Sequence, residues 1–150
     1  MGVYDPKKQK FFNAPTIVGI ISFMILSYFG AWYLPHWWKV WRMTGVMRGV
    51  AFDGYHQTDS EPLYKKLVAE ARRLELTGAV KEDFKFERIP YSPEELSDKD
   101  DHDKALLVGR GKFVVITMDY YVAAKWPFRD ASTELHFFRR VEQDMATITW

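Results

Sequence analysis

Residues 11–35 contain no charged side chain, and residues 16–34 read TIVGIISFMILSYFGAWYL. A helix rises about 1.5 Å per residue, so roughly 20 residues cross a hydrocarbon core of about 30 Å. A buried helix in a globular domain rarely runs that far without a charge, so the segment is expected to be a transmembrane helix. Asn13 is placed to cap it, and Pro15 suits the first turn, where a missing N–H costs nothing. Lys7, Lys8 and Lys10 stand before it. Trp32, Tyr33, Trp37, Trp38 and Trp41 follow as an aromatic belt suited to the headgroup layer.

The anchor is expected to be retained. The apolar stretch is too long for a signal peptide, and bulky Trp32, Tyr33 and Leu34 follow it where a cleavage site needs small residues. Pro6 occupies the position at which a myristoylation signal beginning at Gly2 needs Ser or Thr. Cleavage before Phe11 would put Pro15 where pilins carry a glutamate. Orientation is balanced by count: three tail lysines face Lys39, Arg42 and Arg48 on the other flank. The concentration of the tail lysines favours a cytoplasmic tail and a bulk domain outside.

At 100° per residue, Thr16, Gly19, Ser22, Ser27 and Gly30 share one side of the helix. Ile17, Ile21, Met24, Ile25, Tyr28 and Trp32 occupy the other. Small residues let helix backbones approach closely in lipid, so the first side is a candidate docking surface for another transmembrane helix. Phe23 and Leu26 interrupt it, and there is no GxxxG. After Pro35, the run HWWKVWRMTGVMRGVAF continues as a juxtamembrane interfacial helix over residues 36–56, with Lys and Arg reaching phosphates.

A further helix is marked by Asp59 or Ser60 as cap, Thr58 and Glu61 at capping-box spacing, and Pro62 in the first turn. Leu63, Leu67, Ala71 and Leu74 form its apolar stripe, and Gly78 is expected to end it. Phe84 and Phe86 alternate with Lys85 and Glu87 as a strand. Residues 112–123, KFVVITMDYYVA, are rich in β-branched and aromatic types and form a second. Pro127, Phe128, Arg129 and Asp130 make a turn, and residues 132–141 return as a third. Residues 105–108 could extend the sheet before a turn at Gly109, Arg110 and Gly111.

The fold class is therefore α+β. One N-terminal transmembrane helix (residues 11–35, after a tail of residues 1–10) precedes two helices packed on a small, three- or four-stranded, mainly antiparallel sheet. Residues 57–150 form the extramembrane domain, and roughly 95 residues can bury one modest core.

Charge and cysteine content narrow the function. With no cysteine, the chain has no disulfide, Cys-ligated metal or cysteine nucleophile. A net charge of +1 argues against a nucleic-acid binder. Residues 90–104, PYSPEELSDKDDHDK, hold six acidic residues and two lysines, a net of −4 that leaves +5 on the rest. Counted as an EF-hand from Asp98, with Asp100, Asp101 and Asp103, the loop places Asp103 where glycine is needed and Gly109 where glutamate is needed. It reads as a mobile acidic surface loop. His36, His56, His102 and His136 lie on separate elements without metal-ligand spacing. His36 sits among tryptophans where a haem or chlorophyll could take an axial ligand, although a lone interfacial histidine is more often a headgroup contact. Gly109-Arg110-Gly111-Lys112 lacks the context of a phosphate loop. No catalytic residue, cofactor or metal is expected, and the chain does not read as an enzyme.

The segment VVITMDYYVAAKWPFRDASTELHFFRRVE, residues 114–142, has a strand ending in Asp119-Tyr120-Tyr121-x-Val, a Pro127-Phe128 turn and a Leu135-His136-Phe137 strand. It resembles the carboxy-terminal part of a family of small uncharacterised bacterial single-pass membrane proteins, a domain of unknown function. The resemblance covers most of the chain in architecture and about thirty residues in motif. The aromatic flank and the acidic insertion depart from it. It implies a bacterial source, an outward-facing domain and no assigned activity; the expected location is the inner membrane, with the tail cytoplasmic and the C-terminal domain periplasmic.

The expected function is a non-catalytic accessory subunit of a respiratory, photosynthetic or secretion complex in the membrane. Gly19, Ser22, Ser27 and Gly30 would dock another transmembrane subunit, with Trp37, Trp38 and Trp41 at the lipid headgroup interface. The alternative is a free-standing anchored binding or sensing domain that uses its sheet face or acidic loop.

Overall fold

The computed structural model describes residues 13–54, 56–57 and 59–145. Thr58, half of the expected capping box, lies outside them, as does the basic tail. The dominant element is α1, Ala14–Asp53, a single helix of 40 residues that runs through Pro35 without a break. The expected separation into an anchor and an interfacial helix is thus one continuous rod. Pro35 has no N–H to offer the carbonyl one turn back, an interior cost of about 3 kcal/mol. Contacts between the following turns and the rest of the chain offset it. Asn13 starts α1 in an extended conformation but makes no side-chain capping bond.

Helix α2, Glu61–Arg73, buries Leu63, Leu67 and Ala71 against α1, as its stripe requires. Asp59 Oδ1 accepts a hydrogen bond from the Glu61 N–H at 3.0 Å. The helix ends at Arg73, short of Gly78, and Leu74 packs partly into the core. A 3₁₀ turn, Lys81–Asp83, leads into β1, Phe84–Ile89. Strands β2, Phe113–Lys125, and β3, Ser132–Asp144, complete an antiparallel sheet in the order β1-β2-β3. The register pairs Phe84 with Met118, and Tyr120 with Phe137.

Strand periodicity sends alternate residues to opposite faces. Val114, Ile116, Met118, Tyr120, Phe137 and Val141 face α1 and α2, where they meet Val40, Met43, Met47, Val50 and Ala51. The second half of α1 is therefore the central helix of the α+β core. The sequence predicts a juxtamembrane interfacial helix over residues 36–56; the described part of that stretch turns Val40, Met43, Met47, Val50 and Ala51 into the core and leaves Trp38, Trp41, Arg42 and Arg48 exposed. Arg88 closes one end of that core. Its guanidinium donates to the carbonyl oxygens of Gly54 at 3.2 Å, Gln57 at 2.5 Å and Arg110 at 2.8 Å.

The acidic insertion is not an irregular loop. Ser92 caps α3, Pro93–Ser97, with a reciprocal bond to Glu95, and Lys112 pairs with Glu95. Residues 105–108, expected to extend the sheet, belong instead to α4, Asp101–Arg110. Acidic residues in its first turn and Arg110 in its last suit the helix dipole. Gly111, expected in a hairpin turn, ends α4 at φ 77°, and a Cβ there would lie 3.0 Å from the Ile89 carbonyl oxygen. Only glycine fits that exit without strain.

Candidate functional site

The first half of α1 has surroundings unlike those of the second. Its most apolar 18-residue window has a mean hydropathy of 1.8, and none of it is buried. It is one helix near the N-terminus, long and apolar enough to cross a membrane. Phe23 and Leu26 are exposed, as are Gly19, Ser22 and Ser27, while Gly30 is half-buried. A Cβ built on Gly19 meets nothing within 4 Å, so that position is open on this chain. On Gly30 it would touch only the Leu34 side chain, at an ordinary 3.7 Å.

The β2–β3 hairpin reaches this half of the helix on the bulky side. Tyr28 Oη donates to the Pro127 carbonyl oxygen at 2.7 Å. The Trp126 ring stacks on Trp32 at 4.1 Å with planes 8° apart, and meets Tyr28 at 6.2 Å and Phe29 edge-on at 5.7 Å. One turn further up, Tyr33 packs on Phe137 at 5.9 Å. By helical angle, Tyr28 and Trp32 lie opposite Thr16, Gly19, Ser27 and Gly30. The hairpin leaves Gly19, Ser22 and Ser27 exposed, although Tyr33, which meets Phe137, shares their side by helical angle. At its tip, Phe128 is fully exposed at φ 61°, a left-handed conformation that costs a bulky residue about 1–2 kcal/mol.

The three tryptophans singled out by sequence differ in burial. Trp38 and Trp41 are 52% exposed and stack on each other at 5.0 Å. Trp37 is half-buried, packing against the core while its ring also stacks on Trp41 at 6.5 Å. Beside Trp41, a cavity of about 540 Å³ opens between α1 and α2, lined by Arg42, Arg48, Arg73 and Glu70. Arg73 reaches Glu70 at 3.5 Å, so cations outnumber carboxylates there and the groove favours an anion.

His36 lines a cavity of only about 40 Å³ with Lys39, Thr77 and Tyr120. Burial, with the Lys39 charge nearby, holds its imidazole below the usual pKa, and the space is far too small for a haem or chlorophyll. Tyr120 donates to the Thr77 carbonyl at 2.9 Å, and burial raises its phenol above the usual range, with Asp83 adding to the shift. Asp98, Asp100, Asp101 and Asp103 do not converge: among the described residues no three His, Asp or Glu side chains form a group that could hold a metal ion.

Sequence reading missed one constellation on the outer face of the sheet. Asp119 Oδ1 lies 2.6 Å from His136 Nε2, and the His136 ring stacks on Tyr121 at 4.4 Å. Phe138 is exposed beside them. Their separation along the chain hid them, and only the β2–β3 register brings them together. Sequence reading also took Phe128 as a plain turn residue and gave Trp126 no role. Two large aromatics flanking a proline at a hairpin tip were the available signal. No family model, curated protein or solved structure matches this chain.

Proposed function

We propose that the chain is a non-catalytic accessory subunit of a larger bacterial membrane complex, respiratory, photosynthetic or secretory, to which it is tied by the first half of α1. The observation that carries this reading is that window of α1, uncharged, predominantly apolar and unburied among the described residues. In water such a surface would aggregate. Lipid covers its bulky residues, and a second transmembrane helix fits the side of Gly19, Ser22, Ser27 and Gly30, where close backbone approach supplies contact that acyl chains do not. The α+β unit then stands on the periplasmic face of the inner membrane, as in the family of small single-pass proteins that the C-terminal segment resembles. Trp38 and Trp41 supply exposed aromatic surface for neighbouring subunits or headgroups.

The test is Gly19→Ile with Gly30→Ile, followed by affinity purification in mild detergent. The space around Gly19 means the substitution leaves the chain's own fold intact. The expected result is loss of the co-purifying membrane proteins; unchanged co-purification would overturn the docking face. A second reading, a free-standing anchored binding domain, draws on the uncovered Tyr121, His136 and Phe138 on the outer sheet face. It predicts that Phe138→Ala removes a partner while the paired glycine substitutions do not.

A further inference from the structure

The hairpin meets α1 at a height that the bilayer itself can check. From Ala14 to Tyr28 the helix climbs about 21 Å at 1.5 Å per residue, less than a hydrocarbon core of about 30 Å. A span of roughly 20 residues counted from Ala14 ends at Tyr33, above the residues that hold the hairpin. The nearest charges flanking the uncharged run are Lys10 and Lys39, so sliding a span of roughly 20 residues within those limits puts its upper boundary between residues 30 and 38, always above Tyr28. Trp126 and Pro127 are fastened to α1 at that level by a stack and a hydrogen bond.

We propose that the tip of the β2–β3 hairpin is a membrane-seated wedge, with Phe128 entering the upper acyl region and Trp126 lying in the headgroup layer. The proposal rests on the reading that α1 crosses a bilayer. Its chemistry is that of an interfacial anchor. Phe128 is fully exposed on a left-handed backbone, with nothing among the described residues to cover it. Trp126 has the amphipathic ring favoured at membrane boundaries. Lys125 and Arg129 flank the tip and are exposed, placed to reach lipid phosphates while their stems cover apolar surface. Two attachments, the helix and the wedge, fix the tilt and rotation of the α+β unit over the membrane, which one helix alone leaves free.

The test exploits the absence of native cysteines. Single variants Phe128→Cys, Leu26→Cys and Lys85→Cys of the full chain carry a nitrobenzoxadiazole label in nanodiscs of phosphatidylcholine and phosphatidylglycerol. A fraction of the lipid bears a doxyl quencher near the carbonyl end of the acyl chain. The expected result is blue-shifted emission at positions 128 and 26, quenched several-fold more by doxyl lipid than at position 85. Water-like emission at 128 that iodide quenches freely, with 26 still quenched by lipid, would overturn the wedge and leave the anchor standing. Water-like emission at both would overturn the anchor, and the wedge with it. A label at 128 shielded from iodide yet unquenched by doxyl lipid would mean that protein covers the tip, which also overturns the lipid assignment.

Discussion

Residues 16–34 of α1 carry no charge on any side and bury no residue fully, whereas residues 40–51 of the same helix bury Val40, Met43, Met47, Val50 and Ala51 and turn Arg42 and Arg48 outward. The backbone is the same; the pattern is not. An apolar surface all the way round suits a surrounding of acyl chains, and an apolar stripe suits a protein core on one side. The changeover falls between Tyr28 and Trp37, where the hairpin touches the helix and the rings of Tyr28, Phe29, Trp32 and Tyr33 face those of Trp126 and Phe137. Continuity of the helix across that junction joins the α+β unit to the apolar half of α1 without a linker between them.

The comparison can be broken by substitutions in each half. Met47→Ala should cost about 2–5 kcal/mol, since Met47 is fully buried, while Leu26→Ala at an exposed position leaves unfolding in detergent unchanged. Guanidinium titration of both variants checks this, and an equal loss at Leu26 would place it inside a core. Arg88→Ala should cost about 3 kcal/mol, because three backbone carbonyls lose a charged donor at once. The junction is sharpened by Trp126→Ala, expected to lose about 2 kcal/mol with its stack on Trp32. Tyr28→Phe removes a single bond to the hairpin and should cost about 1 kcal/mol. Loosening confined to hydrogen exchange at residues 126–131 would place that loss at the tip.

Alkaline titration reads the second half alone. The Tyr120 phenol is held neutral by burial in the folded chain, so its pKa there is higher than in the unfolded chain. Stability is then level below about pH 10 and falls as pH rises beyond it, because the unfolded chain releases the proton first. Tyr120→Phe should flatten that decline. A decline of unchanged steepness would assign it to other groups.

How far the fold was legible in the sequence varies by element, for identifiable reasons. The uncharged run, the Leu63, Leu67 and Ala71 stripe and the β-branched strands are local patterns, and each appears where its period places it. The helix is expected to continue past Pro35, and α1 does so, with the turns beyond it held by the core. Residues 105–108 are a short apolar run whose period cannot separate helix from strand. Ser92-Pro93-Glu94-Glu95 carried a capping box that the acidic composition masked. Of the candidate site residues, Gly19, Ser22, Ser27, Trp38 and Trp41 are exposed and Gly30 is half-buried, as a helical wheel allows, but no wheel shows that Trp37 turns inward. The hairpin's seat on α1 is a contact across 99 residues, and no local pattern encodes its height.

The most direct test is a cysteine scan of α1 in native membranes, one substitution per position from 16 to 51, read by a membrane-impermeant maleimide. The account predicts unbroken protection from residue 16 to about residue 30. From residue 40 onward labelling should turn periodic, with 40, 43, 47, 50 and 51 protected and 41, 42, 45, 48 and 49 reactive. A helical period of labelling continuing down through residues 17–26 would mean that water reaches that half of the helix, and would contradict the claim that one rod serves as both anchor and core.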